Sequence, residues 1–233
     1  MKKADFERML IAELGTWLSL EGYSFVKDLS EFQAETPVGL DRIYCNLYQP
    51  VKNYSVAVAV YKYFKEVENF WTLYGSILGY ARQDVTTERT LFFNPVKIKN
   101  KEFDLFSQGP HYGFDVELSE TGCRELIQKL KTDFEQFVFP VLKQYNSIEA
   151  LDSVLHDDID RLAADPLQYY ISKAWLFNYD MLMLKSLLIA KLANNPAQER
   201  IYEINKQYIL PFIDAGEPMG EKMLTVLEKI HTS

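Results

Sequence analysis

Residues 41–64, DRIYCNLYQPVKNYSVAVAVYKYF, read with a period of two. In 41–49 the odd positions are Asp41, Ile43, Cys45, Leu47 and Gln49, and the even ones are Arg42, Tyr44, Asn46 and Tyr48. In 54–64 the even positions are Tyr54, Val56, Val58, Val60, Lys62 and Phe64, against Ser55, Ala57, Ala59, Tyr61 and Tyr63. Side chains alternate across a strand, so each run has one aliphatic face and one tyrosine-bearing face. Pro50 and Asn53 between the runs predict a hairpin loop. Ile43, Cys45 and Leu47 are expected to join Val56, Val58 and Val60 on the sheet face that meets the core.

Working outward, residues 4–20 have helical spacing, with Phe6, Met9, Leu10, Leu14, Trp17 and Leu18 on one stripe and Gly22 as the stop. Residues 23–36 predict a short hairpin turning near Asp28 to Ser30. The stretch 66–82 is ambiguous between helix and irregular structure, because Gly75 and Gly79 interrupt its apolar spacing. Strand patterns return at 89–99, interrupted by Pro95, and at 112–118. After Ser119 the chain reads helical to its end: Ser119 or Thr121 caps the first helix, Pro140 kinks it, and Ser147 caps a short helix at 148–156. Asp165-Pro166 opens a unit running to about Asn194 that can break near Asn178 into a helical hairpin, and Pro196 and Pro218 open the last two helices. Strands followed by helices predict an α+β protein: a mainly antiparallel sheet with an N-terminal helix, then an all-helical C-terminal bundle. The expected regions are 1–118 and 119–233, which can pack as one domain.

The chain of 233 residues has 33 Asp+Glu against 25 Lys+Arg, a formal net charge of −8. An acidic balance argues against a broad nucleic-acid surface, which needs clustered bases to displace counterions. At 48% hydrophobic residues the chain is not disordered. Its most apolar stretch, Met181 to Leu192, is 12 residues long with Lys185 and Lys191 inside it, so it reads as a core helix and no membrane partner is expected. Cys45 and Cys123 lack any CxxC spacing, and the acids in the first residues are unlike a signal peptide, so a cytoplasmic location with free thiols is expected.

No GxSxG, HExxH, GxxxxGK[ST] or GxGxxG occurs. The densest polar run is His156-Asp157-Asp158-Ile159-Asp160, with six acids and Arg161 between Glu149 and Asp165. His156, Asp158 and Asp160 offer a divalent cation a hard-donor set; the alternative is that these acids cap and charge a following helix start. His111 sits in a turn between strands, and Cys123 lies near a helix N-terminus, which would favour its thiolate. No cofactor is implied. The strongest contact feature is the tyrosine-bearing face, Arg42, Tyr44, Tyr48, Tyr61 and Tyr63, since tyrosine gives large contact area at little entropic cost. Ala57 and Ala59 leave open that a helix packs there as a second core layer.

Leu14-x-x-Trp17-Leu18 leading to Gly22-Tyr23-Ser24-Phe25, and Tyr145-Asn146-Ser147-Ile148-Glu149-Ala150-Leu151, resemble uncharacterised bacterial domains with an N-terminal helix, a β-meander and a helical end, some tied to toxin–immunity loci. No catalytic residue comes with that resemblance. The expected function is a non-enzymatic protein-binding protein, immunity- or adaptor-like, whose acidic surface suits a basic protein partner. The alternatives are a carboxylate- or metal-assisted hydrolase using His111 or the 156–160 cluster, and a structural subunit of an assembly.

Overall fold

The computed structural model describes residues 1–49, 54–80, 89–95, 98, 113–178 and 181–233. The chain is α+β, with an N-terminal helix, a six-stranded antiparallel sheet and a helical C-terminal part. It divides into two compact units that interleave in sequence: residues 1–63 with 91–143, and residues 64–90 with 144–233. Residues 64–90 thus go with the C-terminal helices, and 119–143 stay with the sheet.

In the first unit α1 (Lys3–Leu20) buries Phe6, Leu10, Leu14 and Leu18, the expected stripe. It ends as Gly22 takes φ +87°, letting Gly22 N–H and Tyr23 N–H donate to Ser19 and Leu18 carbonyls. Strands β1 (Ser24–Val26) and β2 (Glu31–Thr36) form the predicted antiparallel hairpin, and β3 (Gly39–Tyr48) and β4 (Tyr54–Phe64) follow. The sheet runs β1-β2-β3-β4-β5, and β4 is long enough to pair on its far edge with both β5 (Leu91–Phe93) and β6 (Gly113–Val116). The loop at 50–53, His111 and residues 96, 97 and 99 lie outside the described residues; among the described residues of the 89–99 run only Leu91–Phe93 is strand.

On the aliphatic face Ile43, Leu47, Val56, Val58 and Val60 are buried as read and Cys45 is half-buried, while α3 (Glu120–Asp133) packs against α1 and β6. Within that face Lys62 is fully buried, its Nζ 2.7 Å from Asp41 Oδ1 and 3.5 Å from the Leu142 carbonyl. Ser119 caps α3, its hydroxyl accepting from Gly122 N–H at 3.0 Å. The kink expected at Pro140 is a π turn, Phe134–Val138, just before α4 (Phe139–Gln144). Proline has no N–H for the carbonyl four residues back, and the preceding ladder widens, Phe139 N–H donating to Phe134. Trp17, Phe134 and Phe139 meet ring to ring there at 5.6–6.1 Å.

In the second unit α2 (Lys65–Leu78) is continuous: burial of Val67, Phe70, Trp71, Tyr74 and Leu78 outweighs the roughly 1 kcal/mol that a helical glycine costs. Then come α5 (Ile148–Leu155), α6 (Ile159–Ala164), α7 (Pro166–Lys173), α8 (Leu182–Leu192), α9 (Gln198–Asp214) and α10 (Pro218–Thr232). Helix α8 is the hub, packed against α2, α5, α9 and α10, and Leu182 through Ala190 are all buried. Its Lys185 Nζ lies 2.8 Å from Glu68 Oε2 and 5.1 Å from the Trp71 ring centroid. The Thr90 hydroxyl donates to the other Glu68 oxygen at 2.8 Å, so both carboxylate oxygens are held in the dry interior. Lys191 donates to the carbonyls of Ile230 and His231 at the end of α10. Among the described residues no helix is long and apolar enough to cross a membrane.

Candidate functional site: the methionine groove of the helical unit

The sequence has six methionines, and four of them, Met181, Met183, Met219 and Met223, line one cavity of about 390 Å³ in the helical unit. Leu167 and Tyr170 enter from α7, Tyr208 and Phe212 from α9, and Glu217 and Gly220 from the start of α10. Its mouth is apolar and open: Leu167, Phe212 and Met219 are three of the seven large hydrophobic side chains exposed among the described residues. Monomers seldom leave such residues clustered without a use. Unbranched thioether chains also repack around varied shapes more readily than branched ones.

The polar groups behind the cavity are satisfied among themselves. Tyr170 hydroxyl lies 2.7 Å from Ser186 Oγ and donates to Asn205 Oδ1 at 2.9 Å, while Asn205 Nδ2 donates to the Met183 carbonyl at 3.1 Å. Burial pushes the Tyr170 phenol well above its usual range, against the pull of the Ser186 and Asn205 hydrogen bonds, so it stays protonated at all working pH values. Such a cavity offers mainly apolar contact, with the Glu217 carboxylate as the charged side chain in its lining.

The tyrosine-bearing face of β3 and β4 is built differently. Arg42 is buried, its guanidinium carbon 5.7 Å from the Tyr61 centroid and its NH1 3.9 Å from Glu31. Tyr61 stacks on Phe92 at 5.3 Å with the rings 7° apart. Tyr44, Tyr48, Tyr61 and Tyr63 are all half-buried, and Ala57 and Ala59 between them are buried, so the middle of β4 is covered on both faces.

The acidic run resolves into separate local jobs. Asp158 caps α6, accepting from Arg161 N–H at 2.9 Å, and Asp165 caps α7, accepting from Gln168 N–H at 3.0 Å. Asp160 points outward to Arg200 at 2.5 Å, and Asp157 is held by Lys173 at 2.6 Å and the Tyr169 hydroxyl at 2.8 Å. His156 is buried with Nδ1 2.7 Å from Asp152 Oδ1, and the second Asp152 oxygen accepts from Asn195 at 2.7 Å. The structure therefore does not bring His156, Asp158 and Asp160 onto one centre, and among the described residues no group of three or more His, Cys, Asp or Glu is placed to hold a metal ion. Cys123 sits in the first turn of α3, but burial, with Glu13 adding, pushes its thiol up to about 11, overriding the helix-terminus effect that would favour thiolate. Burial pushes Cys45 up to about 12.

In comparisons with known proteins, no family model matches the chain, and no curated protein or solved structure matches it. The site therefore rests on its own chemistry. Reading strand parity pointed to the tyrosines and missed the groove, whose lining comes from segments tens of residues apart. One signal was available: the spacings Met181-x-Met183 and Met219-x-x-x-Met223 concentrate two thirds of the methionines in two short stretches.

Proposed function

We propose that this chain is a non-enzymatic protein-binding module, of the immunity or adaptor kind, that seats apolar side chains of a protein partner in the methionine groove. The observation that carries this is the coincidence of the exposed Leu167, Phe212 and Met219 with a methionine-lined cavity whose buried polar neighbours are already paired. Adaptable apolar grooves rimmed by exposed hydrophobics are how helical partners are commonly received. In the sheet unit Tyr61 is interlocked with Arg42 and Phe92, which suits a packed layer better than a docking plate. The paired-off acids at 149–165 give a hydrolytic reading less support.

The test is selection of helical peptides from a random displayed library on the folded chain. Selected peptides should lose at least about tenfold in affinity, roughly 1.4 kcal/mol, on Leu167→Asp/Met219→Asp. Peptides that bind this variant as well as the parent chain, or a selection that enriches none, would sink the reading.

A further inference from the structure

We infer that the partner of this groove is a basic amphipathic helix that lies along α9 with two apolar anchors; this rests on the reading just given. The length of the site speaks first. A second cavity of about 370 Å³ is lined by Ala163, Pro166, Glu203, Ile204, Gln207 and Arg200, whose charge is paired with Asp160, and it shares Tyr208 with the methionine cavity. The α9 residues that line the two hollows run from Arg200 to Phe212, about 18 Å of helix axis at 1.5 Å per residue. Two apolar residues spaced seven apart on a partner helix stand about 10.5 Å apart, which fits within that length with one anchor for each hollow. A compact ligand fills only one.

Charge speaks second. The helical unit has 17 Asp+Glu against 11 Lys+Arg, so it holds −6 of the chain's −8. Within Asp214–Met223 the acids are Asp214, Glu217 and Glu221, all exposed, and none makes an ion pair among the described residues. Glu217 lines the cavity and precedes α10, yet its carboxylate makes no capping bond. Lys222, the one base in that segment, reaches the end of α2, where a β-carbon added at Gly79 would meet its Nζ at 3.0 Å. Among the described residues the cavity thus carries one unpaired carboxylate in its lining, Glu217, with Asp214 two residues from Phe212 and Glu221 next to Gly220, and these attract a cationic flank and repel an acidic one.

The experiment titrates the full chain calorimetrically with three designed peptides of about 18 residues, five helical turns, with Leu on one stripe and Lys, Gln or Glu on the other. The Leu/Lys helix should bind at least about tenfold tighter than Leu/Gln, with Leu/Glu weakest, and the preference should fade in high salt. Asp214→Lys/Glu217→Lys should erase the preference by bringing Leu/Lys affinity down to that of Leu/Gln on the same variant; these positions are exposed, and circular dichroism confirms the fold. Leu/Gln binding as tightly as Leu/Lys, or a preference that survives the double substitution, overturns the basic partner and leaves the groove reading standing. If no helix binds, both readings fall. Saturable binding of laurate with no helix bound would give the site to a small ligand. Light scattering showing a dimer that releases on Phe212→Asp would give it to a second copy. Either result overturns the inference.

Discussion

The tyrosine face of the sheet unit and the methionine groove of the helical unit are both aromatic or apolar surfaces, but they differ in how tightly each side chain is held. On the sheet, Tyr61 is fixed by a stacked Phe92, by the Arg42 cation and by a β-ladder on both sides. In the groove, Phe212 touches Tyr208 at 5.5 Å, while Leu167 and Met219 face outward with substantial exposure. Interlocked residues of that kind define one structure, whereas loosely held ones can adapt to something that arrives. Both units also bury one lysine against one carboxylate: Lys62 with Asp41, and Lys185 with Glu68. Permanence therefore comes from the interiors, and the two surfaces differ in what is left over.

The largest effect should come from Glu68→Ala, which strands the buried Lys185 ammonium. Breaking one side of a buried pair costs about 3–5 kcal/mol, so the urea midpoint should fall steeply. Replacing both partners, Glu68→Leu with Lys185→Met, should recover most of that loss, because the cost lies in the unpaired charge. A single variant within about 1 kcal/mol of the parent would show that the pair is not in a dry interior.

The comparison itself is broken or sharpened by Tyr61→Ser and Met219→Ser, measured side by side. Tyr61→Ser should cost about 1–2 kcal/mol in stability, from lost stacking and cation contact. Met219→Ser should stay within about 0.5 kcal/mol, since exposed positions contribute little to stability, while weakening peptide binding. Equal losses of stability at both sites would erase the distinction between a packed face and an open groove.

The sheet was legible because its signal is local. The period of two in 41–49 and 54–64 follows from chain geometry alone, and the same parity places Ile43 with Val56 and Arg42 with Tyr61. Helix starts at Ser119, Ser147 and Pro218 were legible for the same reason, since a cap or a first-turn proline acts within three residues. Parity could not tell whether the tyrosine face was covered, because that depends on partners distant in sequence. The groove was hidden for a related reason: α8 is apolar all round, so the pattern of Leu182–Leu192 does not reveal which side of it stays open. The continuity of α2 through Gly75 was likewise decided by packing against α8 and α10, which propensity does not contain.

Asp158 offers a smaller effect that separates capping from metal binding. Asp158→Ala should cost about 1 kcal/mol, the usual value for losing an N-cap, and Mg²⁺ or Ca²⁺ should leave the melting temperature of the parent chain unchanged. A cation-dependent rise in that temperature, lost in Asp158→Ala, would restore a metal role for the run.

The smallest expected effect is a pH dependence at Asp157. Burial raises its carboxyl, but hydrogen bonds from Lys173 and Tyr169, with the charges of Lys173 and Arg161, outweigh burial and hold it below the usual carboxylate range. A lowered folded-state pKa means that the unfolded chain binds the proton first as acid is added. The contribution is therefore complete above the unfolded carboxylate value, near 3.8, and is lost as pH falls through the lower folded value. The side chain is half exposed, at 51%, so solvent and salt keep the contribution small. Urea midpoints of the parent chain and of Asp157→Asn should differ by a constant amount from neutral pH down to about pH 5 and converge below about pH 4. A gap that widens on acidification would mean that Lys173 and Tyr169 do not stabilise the ionised form.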